Sequence, residues 1–208
     1  MSRRNLCCRC QRPASVCICC WATPLHNAVE LLILQHPLEV NNAKNTIRLV
    51  QLSLSQCQLV IGEQFDPEWL AVRLAEGDKL NLLLYPPTAE SQSLGLLPTP
   101  PLPDLGLYKP EQLRLVLLDA TWRKSRKQLY LNPALQRLPR LNLDDCPPST
   151  YRIRKAQAPH QLSSLEALVY ALQRLEAAPD KYAPLLEAFD GFVDQQLARR
   201  LTSEAQRN

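Results

Sequence analysis

The sequence predicts an α/β fold built on a mainly parallel β-sheet. Short apolar runs of strand length alternate along the chain with segments in which apolar residues recur at helical spacing. Because alternating strands and helices form βαβ units, the strands are expected to run parallel. The 208 residues, 46% hydrophobic and 21% charged, suit an ordinary globular protein with one main domain.

The predicted elements follow one another in a regular order. The predicted strands span residues 29–34, 59–61, 80–85 and 113–119, with a further extended segment at 137–143. The predicted helices span residues 42–55, 66–76, 123–131, 163–177 and 183–201. Between two buried strands, residues 86–110 hold seven of the prolines and two of the five glycines, which predicts a long loop. Such a loop is either functional or without fixed structure.

Glycine placement and hydropathy exclude several classes of protein. The five glycines are too scattered to form G-x-G-x-x-G or a Walker A loop, so a nucleotide-like cofactor would be held by other means. The basic N-terminus is not followed by an apolar segment long enough for a secretory signal. Nowhere do eighteen apolar residues run together. We therefore expect a cytoplasmic protein with no membrane partner.

Six of the eight cysteines lie within the first twenty residues. A C-x2-C pair and a C-x-C pair, six residues apart, can hold one tetrahedral zinc ion. In a reducing compartment such clusters are more often metal ligands than disulfides. Cys8 and Cys20 leave some choice of ligands, and a cysteine-rich tail without metal is the alternative. The favoured ligands of a structural zinc in a segment spanning residues 1–28 are Cys7, Cys10, Cys17 and Cys19.

Two basic segments indicate a nucleic-acid partner. Residues 1–29 carry four arginines and no acid, and residues 119–160 carry nine basic and three acidic residues. Such segments can neutralise phosphates, although solvated helix faces are also basic. In the second segment Tyr151 stands beside cations, a pattern that suits an RNA strand. The predicted RNA contacts are Arg123, Lys124, Arg126, Lys127, Tyr151, Arg152, Arg154 and Lys155.

The candidate site lies where the predicted strands end, because open parallel sheets bind ligands beyond the carboxyl ends of their strands. A buried apolar strand leads directly into Asp119, where partial desolvation raises the carboxyl pKa and makes a better base. Trp122 offers a flat face for stacking on a base, and Thr121 is placed to cap the following helix. The alternative is a strand-end aspartate that only caps the helix, with Trp122 in the core.

Two further strand-end segments complete the candidate site. Residues 85–87 follow the third strand, and Ser163 opens a helix. Ser163 and Glu166 form a capping-box pattern, which by itself explains both residues. The functional alternative is that Ser164 and Glu166 also hold the amino or hydroxyl groups of a cofactor.

In their joint order these motifs resemble the DTW-domain family of tRNA-uridine aminocarboxypropyltransferases. The resemblance covers nearly the whole chain, although Ala120 and Ser164 stand where the family often has Gly and Thr. The motifs that carry it are the four-cysteine pattern and residues 35–39, 46–49, 83–86, 119–122, 132–133, 138–140, 151–155 and 162–167.

The resemblance implies a SPOUT-like, knotted catalytic domain over residues 29–208. It implies transfer of the 3-amino-3-carboxypropyl group from S-adenosylmethionine to N3 of a tRNA uridine, with release of methylthioadenosine. Asp119 is then the candidate base, with Thr121 and Trp122 beside it. The residues expected to hold the cofactor are Leu84, Tyr85, Pro86, Asp119, Ser163, Ser164 and Glu166.

Two other functions remain open at this point. A SPOUT-like RNA methyltransferase would use the same pocket with the cofactor turned differently. A zinc-containing RNA-binding module would lack the pocket's activity altogether. Neither the modified uridine nor the oligomeric state follows from the sequence.

Overall fold

A computed structural model of the chain describes residues 5–87, 95–143, 146–147, 149 and 162–205. In this part of the chain five parallel strands form one sheet in the order β2-β1-β4-β3-β5. The α/β prediction is therefore confirmed. The strands are β1 (Glu30–Gln35), β2 (Cys57–Ile61), β3 (Leu80–Leu84), β4 (Leu113–Asp119) and β5 (Arg140–Leu141).

Helices connect most of the strands, and two more follow β5. They are α1 (Ile47–Ser53), α2 (Pro67–Ala75), α3 (Trp122–Leu131), α4 (Pro133–Gln136), α5 (Ser164–Leu175) and α6 (Ala183–Ala205). The helix predicted over 42–55 begins only at Ile47. The side chains of Asn42 and Asn45 accept hydrogen bonds from the backbone two residues ahead, which favours turns over an earlier helical start.

The sheet is covered on both faces, so its central strand β4 is buried along its whole length. Alternate residues of β1 and β4 contribute to two apolar clusters. Leu31 and Leu115 pack on the side of α1, α5 and α6, while Leu32 and Val116 pack on the side of α2, α3 and α4. This burial explains the apolar run over residues 115–118, which follows the buried, ion-paired Arg114 in β4.

The N-terminal segment packs against the body of the protein. Ile18 is fully buried in the cluster that contains α5 and α6. The guanidinium group of Arg48 donates to the carbonyl oxygens of Arg9 and Cys10 at 2.6 and 3.2 Å. On α6, Gln195 accepts a hydrogen bond from Nε1 of Trp21. The segment is thus held from two helices.

The described part of the predicted loop contains two short 3₁₀ turns, at Leu105–Leu107 and Pro110–Gln112. Residues 88–94 of that loop lie outside the described residues. Among the helices of the described chain, none combines the length and the apolar character needed to cross a bilayer.

Candidate functional site

A cavity of about 250 Å³, called here the strand-end cavity, lies at the carboxyl ends of β3, β4 and β5. Parallel strands end at the same edge, so residues distant in sequence meet there. Its walls are partly apolar, from leucines of β3, β4 and β5, and partly polar. The predicted site residues that line it are Leu84, Tyr85, Pro86, Trp122, Ser163 and Ser164.

Asp119 ends β4 and is only 5% exposed. Its Oδ2 accepts hydrogen bonds from the side-chain amides of Gln35 at 2.8 Å and Asn45 at 2.6 Å. Its Oδ1 accepts a hydrogen bond from Oγ of Ser164 at 3.0 Å. Burial raises the pKa of this carboxyl, while the three donors oppose the shift and the nearby charge of Glu39 adds to it.

Asp119 does not line the strand-end cavity. It lines a smaller, adjoining cavity of about 200 Å³, called here the carboxylate cavity. The two cavities share Ala120, Ser163 and Ser164 as lining residues. A ligand in the strand-end cavity therefore lies one wall away from the carboxylate, and the small side chains at that wall leave room for approach. The predicted base and the predicted cofactor residues are brought together at this edge.

Trp122 is at the mouth of the strand-end cavity. Its side chain is 48% exposed and contacts the buried ring of Tyr85 edge to face, with the centroids 5.8 Å apart. The alternative that placed Trp122 in the core is wrong, because the indole remains largely accessible. The hydroxyl of Tyr85 lies 3.3 Å from Oγ of Ser125, and burial raises the pKa of this phenol.

Thr121 occupies the N-cap position of α3, as predicted, but its side chain makes no capping hydrogen bond. The prediction that the Thr121 hydroxyl caps the helix is therefore wrong. Its carbonyl oxygen instead accepts from the backbone amide of Ser125. The hydroxyl is consequently left for other partners.

At the start of α5 the capping box is confirmed. Oγ of Ser163 accepts from the amide of Glu166, and the carboxylate of Glu166 accepts from the amide of Ser163. Glu166 also accepts a hydrogen bond from Oγ of Ser149 at 2.7 Å, and it is fully buried. Ser163 and Ser164 line the cavities, but Glu166 is not among the residues that line either. The structure thus gives Glu166 a capping role.

The cations of α3 are divided between ion pairs and the surface. Lys124 pairs with Glu39 at 3.0 Å, and Lys127 pairs with Glu63 at 2.9 Å. Lys127 and His36 together hold the pKa of Glu63 below its usual range. Arg123 is exposed and Arg126 is half-buried. The other predicted RNA contacts, Tyr151, Arg152, Arg154 and Lys155, lie outside the described residues.

Sequence reasoning missed two partners of the candidate base, Gln35 and Asn45. Gln35 is the last residue of β1 and is paired with Asp119 in the sheet, so its position at a strand end was a usable signal. Asn45 belongs to a loop whose sequence gives no such signal. His36, which follows Gln35, is not a partner of Asp119. Its Nδ1 accepts from the amide of Leu38, and its Nε2 contacts Glu63. Both ring nitrogens are therefore engaged away from Asp119.

The four predicted metal ligands come together, and we call them the cysteine cluster. The Sγ atoms of Cys7, Cys10, Cys17 and Cys19 all lie within 4.8 Å of one another. The Sγ atoms of Cys7 and Cys19 are 3.6 Å apart, and those of Cys10 and Cys17 are 3.7 Å apart. With zinc–sulfur bonds of about 2.3 Å, a tetrahedral site has sulfur–sulfur separations of about 3.8 Å, so the cluster fits zinc.

The surroundings of the cluster support this choice of ligands. Backbone amides of Cys10 and Arg9 donate to the Cys7 thiol and lower its pKa to about 6. Burial raises the pKa of Cys19 to about 12, which a bound cation would reverse because it stabilises thiolates. Cys8 and Cys20, the alternatives left open by the sequence, are exposed and outside the cluster.

Fold and site together define an α/β protein with a partly polar cavity at the carboxyl ends of parallel strands and a cluster of four cysteines that could hold a metal ion. The chain belongs to the DTW domain family, whose model matches residues 4–197. No solved structure matches it.

Three relatives show the extent of the similarity. The tRNA-uridine aminocarboxypropyltransferase 2 of Macaca fascicularis is 34% identical over 184 residues, 84% of this chain and 57% of the relative. The protein of the same name from Drosophila melanogaster is 30% identical over 202 residues, 94% of this chain and 76% of the relative. The tRNA-uridine aminocarboxypropyltransferase A of Arabidopsis thaliana is 26% identical over 144 residues, which are 65% of this chain and 54% of the relative. The chain spans little more than half the length of the macaque protein.

Proposed function

We propose that this protein transfers the 3-amino-3-carboxypropyl group from S-adenosylmethionine to N3 of a uridine in tRNA and releases methylthioadenosine. The observation that carries the proposal is Asp119, which three donors hold in the wall of the carboxylate cavity, next to the strand-end cavity that Trp122 and Ser164 line. Membership of the DTW domain family and the names of the relatives support it.

The strand-end cavity has the chemistry to hold S-adenosylmethionine. Its leucines and aromatic residues suit an adenine ring and a thioether, and its serines and Asn142 offer hydrogen-bonding groups for hydroxyl and amino groups. Of the residues predicted to hold the cofactor, we retain Leu84, Tyr85, Pro86, Ser163 and Ser164, because Asp119 and Glu166 do not line this cavity. When bound, S-adenosylmethionine supplies an electrophilic methylene next to its sulfonium.

Asp119 is proposed to accept the proton that uracil N3 loses. Its raised pKa makes it a stronger base than an exposed aspartate, and its donors fix the direction of the carboxylate. Gln35, Asn45 and Ser164 act as positioning residues in this scheme. Orientation of the attacking nitrogen toward the cavity supplies much of the rate.

Trp122 is proposed to stack on the uracil or on the adenine, because its exposed ring stands at the cavity mouth. Thr121 stays a candidate for a substrate contact, since its side chain does not cap α3. Arg123 would meet RNA phosphate from the surface beside it. We also retain Arg126, Tyr151, Arg152, Arg154 and Lys155 as proposed RNA contacts.

The proposal also covers the metal, the topology of the fold and the cellular location. Zinc in the cysteine cluster is structural, because four thiolates leave no open coordination position. A SPOUT-like knot is proposed from the family resemblance. The cytoplasmic location stays a prediction.

The test is incubation of the protein with S-adenosylmethionine and unmodified tRNA transcripts, followed by nucleoside mass spectrometry. We expect a uridine enlarged by the aminocarboxypropyl group. A methyl increment would support the methyltransferase alternative instead. No modification and no binding of S-adenosylmethionine would support an RNA-binding module without catalysis.

A further inference from the structure

A groove lined by many amide side chains lies between the cysteine cluster and the loop after β1, and we call it the knuckle groove. Its volume is about 640 Å³, larger than that of the strand-end cavity. Seven amide side chains and the guanidinium groups of Arg12 and Arg48 line it, together with the edge strand β2. None of the proposed catalytic residues is among the residues that line it.

The knuckle groove is positively charged. Arg48 donates to the carbonyl oxygens of Arg9 and Cys10 and to Oε1 of Gln51, all of which are neutral acceptors. Arg12 donates to the carbonyl oxygens of Ala43 and Asn45. No Asp or Glu is among the described residues that line the groove. Two guanidinium charges are therefore placed beside a large accessible space whose described walls supply no acid.

The knuckle groove adjoins the candidate site. Asn42 and Asn45 line both this groove and the carboxylate cavity. Gln35 lines the groove and donates a hydrogen bond to Asp119. A polymer with one unit at Asp119 could therefore place a neighbouring unit in this groove.

We propose that the knuckle groove binds an unpaired nucleotide of the RNA substrate, next to the uridine that is modified. The proposal rests on the proposed function, since it takes Asp119 as the place of the target base. It adds a second subsite, in which guanidinium groups meet phosphate and amide side chains meet the edge of a base.

The composition of the groove favours a nucleotide over other ligands. Amides carry donors and acceptors together, as base edges do, and can pair with them in a planar, two-bond arrangement. Exposed Asn41 is available for such a contact, because no hydrogen bond of its side chain competes within the described structure. The positive charge excludes a cationic ligand and suits a polyanion.

The test uses the isosteric double variant Asn41→Asp and Gln51→Glu in the full chain. Both changes place negative charge in the groove, and a carboxylate at position 51 can still accept from Arg48. The matched control is Gln58→Glu, the same kind of change at an exposed position of β2 that lines a different cavity. Zinc content and melting temperature establish that each variant is folded.

Affinities are measured for a labelled pool of unmodified tRNA transcripts and, separately, for S-adenosylmethionine. We expect the double variant to bind tRNA about tenfold more weakly or worse, with unchanged affinity for S-adenosylmethionine, and the control to bind as the wild type does. Wild-type tRNA affinity in the folded double variant would overturn the proposal. If the wild type fails to modify tRNA, the proposed function fails, whereas a loss of tRNA affinity confined to the double variant still supports the groove.

Discussion

At the scale of single residues, the environment of Asp119 combines two opposed effects. Burial at the end of β4 disfavours the ionised carboxylate, while hydrogen bonds from Gln35, Asn45 and Ser164 favour it. Burial prevails, so the pKa is raised. A base of this kind is more basic than a solvated aspartate, yet it is held in a single orientation.

This environment predicts an acid limb in the pH profile of transfer. As the proposed base, Asp119 would accept a proton only when ionised, so kcat/KM should fall as pH falls through its raised pKa. Because ionisation is disfavoured in the folded state, the carboxyl stabilises the fold below its unfolded pKa, and this contribution is lost as pH rises through the folded value. Initial rates over the acidic range measure the limb.

Asn45→Ala removes one donor that favours the carboxylate, so the acid limb should move to higher pH. A simple structural role for Asn45 would lower the rate without moving the limb. An acid limb that stays at the wild-type position in a folded Asn45→Ala variant would therefore contradict the assignment of Asp119 as the base.

Asp119 could be predicted from the sequence, because an apolar strand leads into it. Its partner Asn45 could not, since their contact joins residues 74 apart and depends on the loop after β1. Glu166 shows the opposite case. Its capping box was evident locally, but only the structure shows that Glu166 is fully buried and does not line the cavity.

At the scale of elements, local chemistry predicted where helices begin. Ser163 caps α5 and Asp66 caps α2, each by a side-chain hydrogen bond, as their sequence patterns indicate. The start of α1 was predicted too early. Asn42 and Asn45 form turns at positions where a helix beginning at residue 42 was predicted. Helix ends thus follow local hydrogen-bond competition more closely than apolar periodicity.

Gly191 in α6 gives a prediction about packing between elements. A Cβ at this position would overlap the indole ring of Trp21. Alanine gains about 1 kcal/mol of helix propensity over glycine, but overpacking costs about 1–3 kcal/mol, so Gly191→Ala should lower the free energy of unfolding. Urea denaturation measures the difference.

The double variant Gly191→Ala with Trp21→Ala supplies the control for this packing effect. With the indole removed, the alanine at position 191 should stabilise the Trp21→Ala background by its helix propensity. Stabilisation by Gly191→Ala in the wild-type background would show that Trp21 does not occupy the position described.

At the scale of the whole molecule, the cysteine cluster joins the N-terminal segment to the fold. Arg48 of α1 donates hydrogen bonds to the carbonyl oxygens of Arg9 and Cys10, and Gln195 of α6 donates to the carbonyl oxygen of Cys17. Zinc is therefore expected to stabilise more than its own loop. It would hold the wall of the knuckle groove.

Cys10→Ser should abolish stoichiometric zinc and lower the melting temperature by about 10 °C, as expected if a few kcal/mol are lost in a chain of this size. Cys10 is the buried member of the cluster. Cys8→Ser is the matched control, because Cys8 is exposed and outside the cluster. Full zinc in the Cys10→Ser variant, or loss of zinc in the control, would contradict the assigned ligands.

The order of elements could be predicted for the whole molecule, but the order of strands could not. β4 lies between β1 and β3, and only this arrangement places Gln35 beside Asp119. Sequence spacing does not encode which strands become neighbours when several buried strands are equally apolar. The knuckle groove was unpredictable for the same reason, since its walls come from four distant segments.

The central claim is that the edge of the sheet at Asp119 carries the transfer reaction. The most direct measurement is the single-turnover rate of aminocarboxypropyl transfer to tRNA by Asp119→Asn, with exposed Asp180→Asn as the control. We predict a fall of about 100-fold or more, the usual contribution of a general base, with the affinity for S-adenosylmethionine retained and the control at the wild-type rate. A folded Asp119→Asn variant that transfers at the wild-type rate would contradict the account.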